Sequence, residues 1–408
     1  MRSEYAWFGL ASAAIGAHIL VDAFIAPEPG TAASAHVVSA IVPLGFAGLV
    51  VSLYPWLRPG FRGVGAAILG VLALVASGPE VAHAAAVGPQ GDDWSGFVLV
   101  PAGLALCTLG VRLLWRSRKP YGRRYLRRAL LSLGAALGAF WVVLPVAIAI
   151  VATHRPREAV GRIALGRAYE QITVRTSDGL TISGRYVASR NGAAVIVFPG
   201  SKSRTPQARM LVRHGYGVLM LDMRGYGESD GDPNMFGWGA TKDIDAGVAF
   251  LRGRPDVKAG RIGGIGFSVG GEQMLEAAAG NPGLRAVVSD GAGQRSVREA
   301  LLRGSRGWFS LPMDAVQTAA IAVLSGDSPP PSLEDLTPRI SPRSVFLIYA
   351  EHGAGGEDLQ PKYYEAAKQP KAIWHVIDAG HTGGFEVRPA EYERRVVEFL
   401  DQGLLGNG

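Results

Sequence analysis

The chain predicts an α/β domain with a mostly parallel eight-stranded sheet, preceded by an all-α bundle of about five transmembrane helices. Three observations carry that prediction. Long apolar runs are confined to roughly the first 153 of 408 residues; short apolar strands alternate with helical runs after about Ala168; and Arg261–Gly271 reads as a strand entering a tight turn that presents a serine.

The apolar runs are Trp7–Ala26, Val37–Leu57, Val64–Val87, Phe97–Trp115 and Ala129–Ala152. Each is close to the roughly 20 residues that a helix needs to cross a bilayer. Trp56, Trp94 and Trp115 lie at or near run ends, where amphipathic rings favour the membrane interface. Gly78-Pro79-Glu80 and His83 interrupt the third run. A buried globular bundle would also be apolar, but five such runs in series favour the membrane. The first lacks the basic leader of a signal peptide.

Orientation follows from charge. Arg112, Arg116, Arg118, Lys119, Arg123, Arg124, Arg127 and Arg128 fall between the fourth and fifth runs with no acid among them, so that loop is expected in the cytoplasm. The amino terminus is then cytoplasmic, and the part after Thr153 lies outside a bacterial plasma membrane. Arg155, Arg157, Arg162 and Arg167 pull the other way, but more weakly. Residues before His154 carry 11 Lys/Arg against 6 Asp/Glu, leaving 30 against 28 of the 41 and 34 in the chain. The net charge of +7 is therefore mostly a topology signal, and the near-neutral remainder excludes a nucleic-acid partner. Cys107, in the fourth run, is the one cysteine, so neither a disulfide framework nor a cysteine metal site is expected. His18 and Asp22 share a helix face and raise a proton or transport path as a lesser reading.

The expected domains are residues 1–153 in the membrane, a juxtamembrane tether over 154–168, and an α/β domain over 169–408. In the last, strands are expected at Gln171–Arg175, Thr181–Val187, Ala194–Phe198, Gly217–Asp222, Arg261–Phe267, Ala286–Ser289, Val345–Ala350 and Ala372–Ile377. Helical runs include Thr241–Arg252, Gly271–Ala279, Pro361–Lys368 and Pro389–Leu400. Near-continuous apolar strands separated by helices indicate a parallel sheet covered on both faces. Ser177-Asp178-Gly179 is a good turn for an opening hairpin.

Gly266-Phe-Ser268-Val-Gly270 fits G-x-S-x-G between a strand and a helix, the layout of a nucleophile elbow. With 55 glycines in the chain a bare match is weak, and Gly227-Glu-Ser229-Asp-Gly231 is a second one. There Asp232-Pro233 follows where a helix should start, so Ser229 reads as a turn residue.

With Phe198-Pro-Gly200-Ser201, Asp222-Met-Arg-Gly225-Tyr-Gly-Glu-Ser229, Gly266-Phe-Ser268-Val-Gly270, an acidic loop after the seventh strand and Ala379-Gly380-His381, residues from about 168 to 405 resemble the α/β-hydrolase superfamily. The likeness is to its branch of serine peptidase- and dienelactone-hydrolase-like enzymes. It implies an α/β-hydrolase fold in which Ser268 is the nucleophile and His381 the base that removes its proton. The orienting acid is expected at Glu357, four residues before Pro361. Asp358, Glu351 and Asp290 remain open. The backbone amides of Val269 and Ser201 are expected to form the oxyanion hole, with Phe198-Pro199-Gly200 standing where relatives often have His-Gly. Asp222 and Arg224 read as a structural charge pair, and His375 as packed inside its strand.

Residues 291–341 occupy the position of a cap, with a helix expected over Asp314–Leu324 and Trp308 and Phe309 expected to hold it to the sheet. No cofactor or metal is implied. The expectation is a membrane-anchored serine hydrolase acting on an ester, thioester or amide of a small-molecule, lipid or peptide substrate. The competing reading is a non-catalytic receptor or scaffold with a hydrolase-like binding domain. Oligomeric state is not readable.

Overall fold

The computed structural model describes residues 2–25, 37–87, 93–117, 131, 134–135, 137–154, 163–200 and 204–406. The chain divides into two compact units, one of Met1–Arg157 with Leu311–Asp327 and the other of Glu158–Ser310 with Ser328–Gly408.

In the first unit the principal helices are Arg2–Leu20, Val37–Leu53, Pro59–Val87, Asp93–Arg116 and Leu144–Thr153. The third and fourth pack backbone to backbone. A Cβ on Gly70 would lie 2.7 Å from the Cys107 amide nitrogen, and one on Gly110 would lie 2.7 Å from the Gly63 carbonyl oxygen. Small residues permit that approach, which is common where helices meet in lipid. A polar clamp fixes the first helix: Tyr54 stacks on Phe8 at 3.6 Å and donates to Glu4, while Arg62 lies over the Tyr5 ring.

Among the described residues two helices are long and apolar enough to cross a membrane, Pro59–Gly78 and Trp94–Arg116, not about five. The first run forms a helix that carries Arg2, Glu4 and His18, and the second a helix of 17 residues. Five residues near the start of the fifth run lie outside the described residues, and its apolar helix over Ala139–Thr153 is short. The α-helix ends at Leu20 and a π-helical turn follows, and the Asp22 side chain of the His18–Asp22 reading lies outside the described residues. His18 Nδ1 meets Ser95 Oγ at 2.9 Å.

The second unit is built on β1 (Glu170–Arg175), β2 (Thr181–Val187), β3 (Ala194–Phe198), β4 (Gly217–Leu221), β5 (Ile262–Phe267), β6 (Ala286–Asp290), β7 (Ser344–His352) and β8 (Lys371–Gly380). Their spatial order is β1-β2-β4-β3-β5-β6-β7-β8, with the β1–β2 and β2–β4 pairs antiparallel and the remaining pairs parallel. Every residue of β3 to β6 is buried, because helices cover both faces. On one face Ile196 and Leu219 pack with Ile244, Val248 and Leu251, spaced along one stripe of the helix Thr241–Arg252, and with Met274 and Leu275 of the helix Val269–Gly280. On the other, Val195, Val197, Val218 and Ile265 pack with Leu211 of Thr205–Arg213 and with Val396 and Leu400 of Pro389–Leu400.

Two local expectations change. Asp222 pairs with Arg185 at 2.8 Å rather than with Arg224. Arg224 instead binds Asp243 at 2.7 Å and Asp178 at 2.9 Å, joining the loop after β4 to the opening hairpin and to the next helix. The cap helix is longer than expected, running from Ser305 to Ser325 through Pro312. Its Trp308 and Phe309 are exposed, not packed against the sheet.

Asp243 is fully buried, so losing its partner leaves an uncompensated charge. Arg224→Met is expected to destabilise the second unit by about 3–5 kcal/mol. Urea denaturation of the full chain in detergent, followed by tryptophan fluorescence, measures the shift in midpoint.

Candidate active site

β5 enters the centre of the sheet and stops at Phe267; the helix Val269–Gly280 starts two residues later. Ser268 turns the chain between them with φ 53° and ψ −126°, a conformation that costs a non-glycine residue roughly 1–3 kcal/mol. The flanking glycines make the turn sterically feasible. A Cβ on Gly266 would fall 2.1 Å from the Gly270 carbonyl oxygen, and one on Gly270 would fall 2.4 Å from that of Pro199. The Ser268 amide donates to the Asp290 carbonyl oxygen at 2.8 Å, which ties the turn to β6.

His381 follows β8, and its Nε2 lies 2.8 Å from Ser268 Oγ. Its Nδ1 hydrogen-bonds Glu357 Oε1. The other Glu357 oxygen accepts from the Ala350 amide at 2.8 Å, so both carboxylate oxygens are engaged and the side chain is buried. Gly356, at φ 94°, starts the short helical turn that aims Glu357 inward. Of the four acids considered, the structure brings Glu357 to His381. Asp358 is exposed and pairs with Arg303, Glu351 accepts from the Asp378 amide at 3.0 Å, and Asp290 accepts from the Tyr392 hydroxyl at 2.8 Å.

Val269 is the first residue of the helix after Ser268, so its amide stands at a positive helix end. Ser201 lies outside the described residues. The segment just before it does reach the elbow, since a Cβ on Gly200 would sit 3.0 Å from Ser268 Cβ. Ser229 is fully buried, donates to the Asp222 carbonyl oxygen and accepts from the Ser183 amide, so it is a turn residue. His375 is exposed and stacks on Tyr349 at 4.5 Å, where core packing was expected. Among the described residues no group of three or more His, Cys, Asp or Glu is placed to hold a metal ion.

Two further acids lie beneath the turn, and the sequence did not mark their environments. Burial pushes the Asp290 carboxyl up to about 7, against the pull of Tyr392 and Arg204 towards the charged form. Burial likewise pushes Glu272, in the first turn after Ser268, up to about 8 despite the nearby Arg295. Arg204 and Thr382 were also unmarked. Their partners lie 178 residues apart in sequence, and no local pattern records such a contact.

A mostly parallel sheet with a serine on a strained strand-to-helix turn, a histidine after the last strand and a buried acid after the seventh defines an α/β-hydrolase. Residues 139–376 match the X-Pro dipeptidyl-peptidase (S15) family, and the chain belongs to that family. It is 25% identical over 248 residues to the uncharacterized protein YfhR of Escherichia coli, covering 57% of this chain and 80% of that protein. It is 30% identical over 135 residues to the thiohydrolase aneE of Aspergillus aculeatus, covering 30% of this chain and 41% of that protein. An esterase structure from Pyrococcus furiosus is 26% identical with a TM-score of 0.48, covering 61% of this chain and 98% of that one.

Glu272 gives a pH prediction. Its carboxyl titrates at 4.5 in the unfolded chain and about 8 in the folded one, so in between the folded state keeps a proton that the unfolded state releases. Stability then falls as pH rises through that window. Glu272→Gln keeps an acceptor for the Gly293 amide and removes the titration. The variant is expected to flatten the decline of thermal midpoint between pH 5 and 8, and to exceed the native protein at the upper end.

Proposed function

We propose that the protein is a membrane-anchored serine hydrolase that cleaves a carboxylic ester or related acyl bond, thioester or amide, through Ser268, His381 and Glu357. The observation that carries the reading is the hydrogen-bonded line from Ser268 Oγ through both ring nitrogens of His381 to Glu357.

The chemistry follows from that line. Glu357 uses both oxygens as acceptors, so the imidazole proton belongs on Nδ1 and Nε2 is left as a base. Nε2 takes the Ser268 proton as Oγ attacks the acyl carbon, and the carbonyl oxygen becomes an oxyanion beside the Val269 amide and, in this reading, that of Ser201. His381 then passes the proton to the leaving oxygen, sulfur or nitrogen. The acyl-serine that remains is opened by water, with His381 again as base. Glu357 stabilises the imidazolium formed in each half. No cofactor enters either half.

The acyl group belongs to a small molecule, a lipid or a peptide. Family membership favours the amide that follows an X-Pro dipeptide, and the likeness to a thiohydrolase keeps thioesters in view. The first unit supports membrane anchoring through its two long apolar helices and through exposed Trp7, Trp56, Val111 and Trp115. The basic loop between the fourth and fifth apolar runs supports an extracytoplasmic hydrolase domain.

A fluorophosphonate probe is expected to label the native protein and not Ser268→Ala. Native folded protein that resists the probe would instead indicate a non-catalytic binding domain. Glu357→Gln is expected to lower kcat by about 10^3 to 10^4-fold, because the histidine loses its orienting charge. Topology is read by shaving intact bacterial cells that produce the protein: external protease should remove the hydrolase domain, and its survival would place the domain in the cytoplasm.

A further inference from the structure

We infer that Arg204 is a positioning residue, tying the loop that carries His381 to the strand that carries Ser268 and so holding base and nucleophile in register. The inference rests on the catalytic reading above.

Arg204 is 3% exposed, and its two contacts bracket the reacting pair. Its Nη2 donates to Thr382 Oγ1 at 2.8 Å, and Thr382 is the residue after His381. Its guanidinium carbon lies 4.5 Å from the centroid of the Phe267 ring, and Phe267 is the residue before Ser268. One side chain thus touches the neighbour of the base and the neighbour of the nucleophile.

The backbone around the base needs such a tie. Thr382 has φ 54°, a left-handed conformation that a β-branched residue adopts only when its surroundings force it. Asp378, three residues before His381, has φ 62°. Each strained residue is held by one long-range hydrogen bond: the Asp378 amide by Glu351, and the Thr382 hydroxyl by Arg204. Released, the loop would relax towards ordinary dihedrals. A shift of about 1 Å is enough to stretch the Nε2–Oγ bond out of range.

The charge of Arg204 has a matching acid. Asp290, 2% exposed, lies within its electrostatic reach, and the carbonyl oxygen of the same aspartate holds the Ser268 amide. The guanidinium is also the right shape, since its flat face stacks on Phe267 while its edge donates to Thr382. A lysine ammonium is a point donor without that flat face, so it is not expected to reproduce the stacking on Phe267 together with the edge-on donation to Thr382.

The experiment uses the full chain in detergent, with a p-nitrophenyl ester for turnover and fluorophosphonate titration to count active sites. Thr382→Val keeps the shape and removes the acceptor. It is expected to lower kcat by about tenfold or more, with KM within about twofold and the number of titratable sites unchanged. Thr382→Ser restores the hydroxyl and should recover kcat. Arg204→Lys, which keeps the charge, should be as slow as Arg204→Met, and Arg204→Met/Thr382→Val no slower than the slower single variant. A native kcat in Thr382→Val, a loss confined to KM, or independent losses that multiply in the double variant would each overturn the inference. Native protein that resists the probe defeats the hydrolase reading itself, a result distinct from any of these.

Discussion

The site depends on one backbone constraint, the left-handed Ser268 between the end of β5 and the start of a helix. A serine in that conformation throws its hydroxyl clear of the sheet, but the chain must fold back so tightly that no side chain fits on either side. Gly266 and Gly270 meet that demand by having no Cβ to collide with neighbouring carbonyls. The turn also needs an anchor, which the Asp290 carbonyl at the end of β6 supplies. Strain at Ser268 is thus held in place by β5 and β6, which are neighbours in the sheet.

The same device recurs at His381. His381 sits between Asp378 and Thr382, both at positive φ, and its ring is held on one side by Ser268 and on the other by a buried Glu357. Fixed dihedrals leave the imidazole little freedom to swing, which matters because a proton passes only over hydrogen-bond distances. The parallel sheet makes this arrangement compact. The ends of β5, β7 and β8 emerge on the same edge, so loops remote in sequence converge there.

Much of this was legible without a structure, for physical reasons. All eight strands fall within a few residues of their expected positions, and β3 to β6 do so because strands buried on both faces must be nearly continuous in apolar residues. The opening hairpin follows from its Ser-Asp-Gly turn. The elbow could be told from its decoy because a helix must follow it, and Asp232-Pro233 after Ser229 does not provide one. The apolar amino-terminal part was less legible. Apolar runs report composition, while helix length depends on where glycine, proline and charges break the chain, so five runs became two long helices among the described residues.

By itself the sequence determined the α/β layering, the serine on its turn and the histidine after the last strand, since hydrophobic periodicity and glycine spacing are local properties. It narrowed the acid to four residues but not to one: Glu351, Glu357 and Asp358 are chemically near-equivalent and sit within eight positions of one another, and Asp290 after the sixth strand stayed open beside them. Tertiary structure decided among them. The direction of the Glu357 side chain is set by two left-handed glycines, Gly355 and Gly356, and by an amide seven residues back. It also decided the partners of Asp222, Arg224 and Arg204. A buried charge takes whichever counter-charge or hydroxyl the fold brings within reach, and that proximity is written nowhere along the chain.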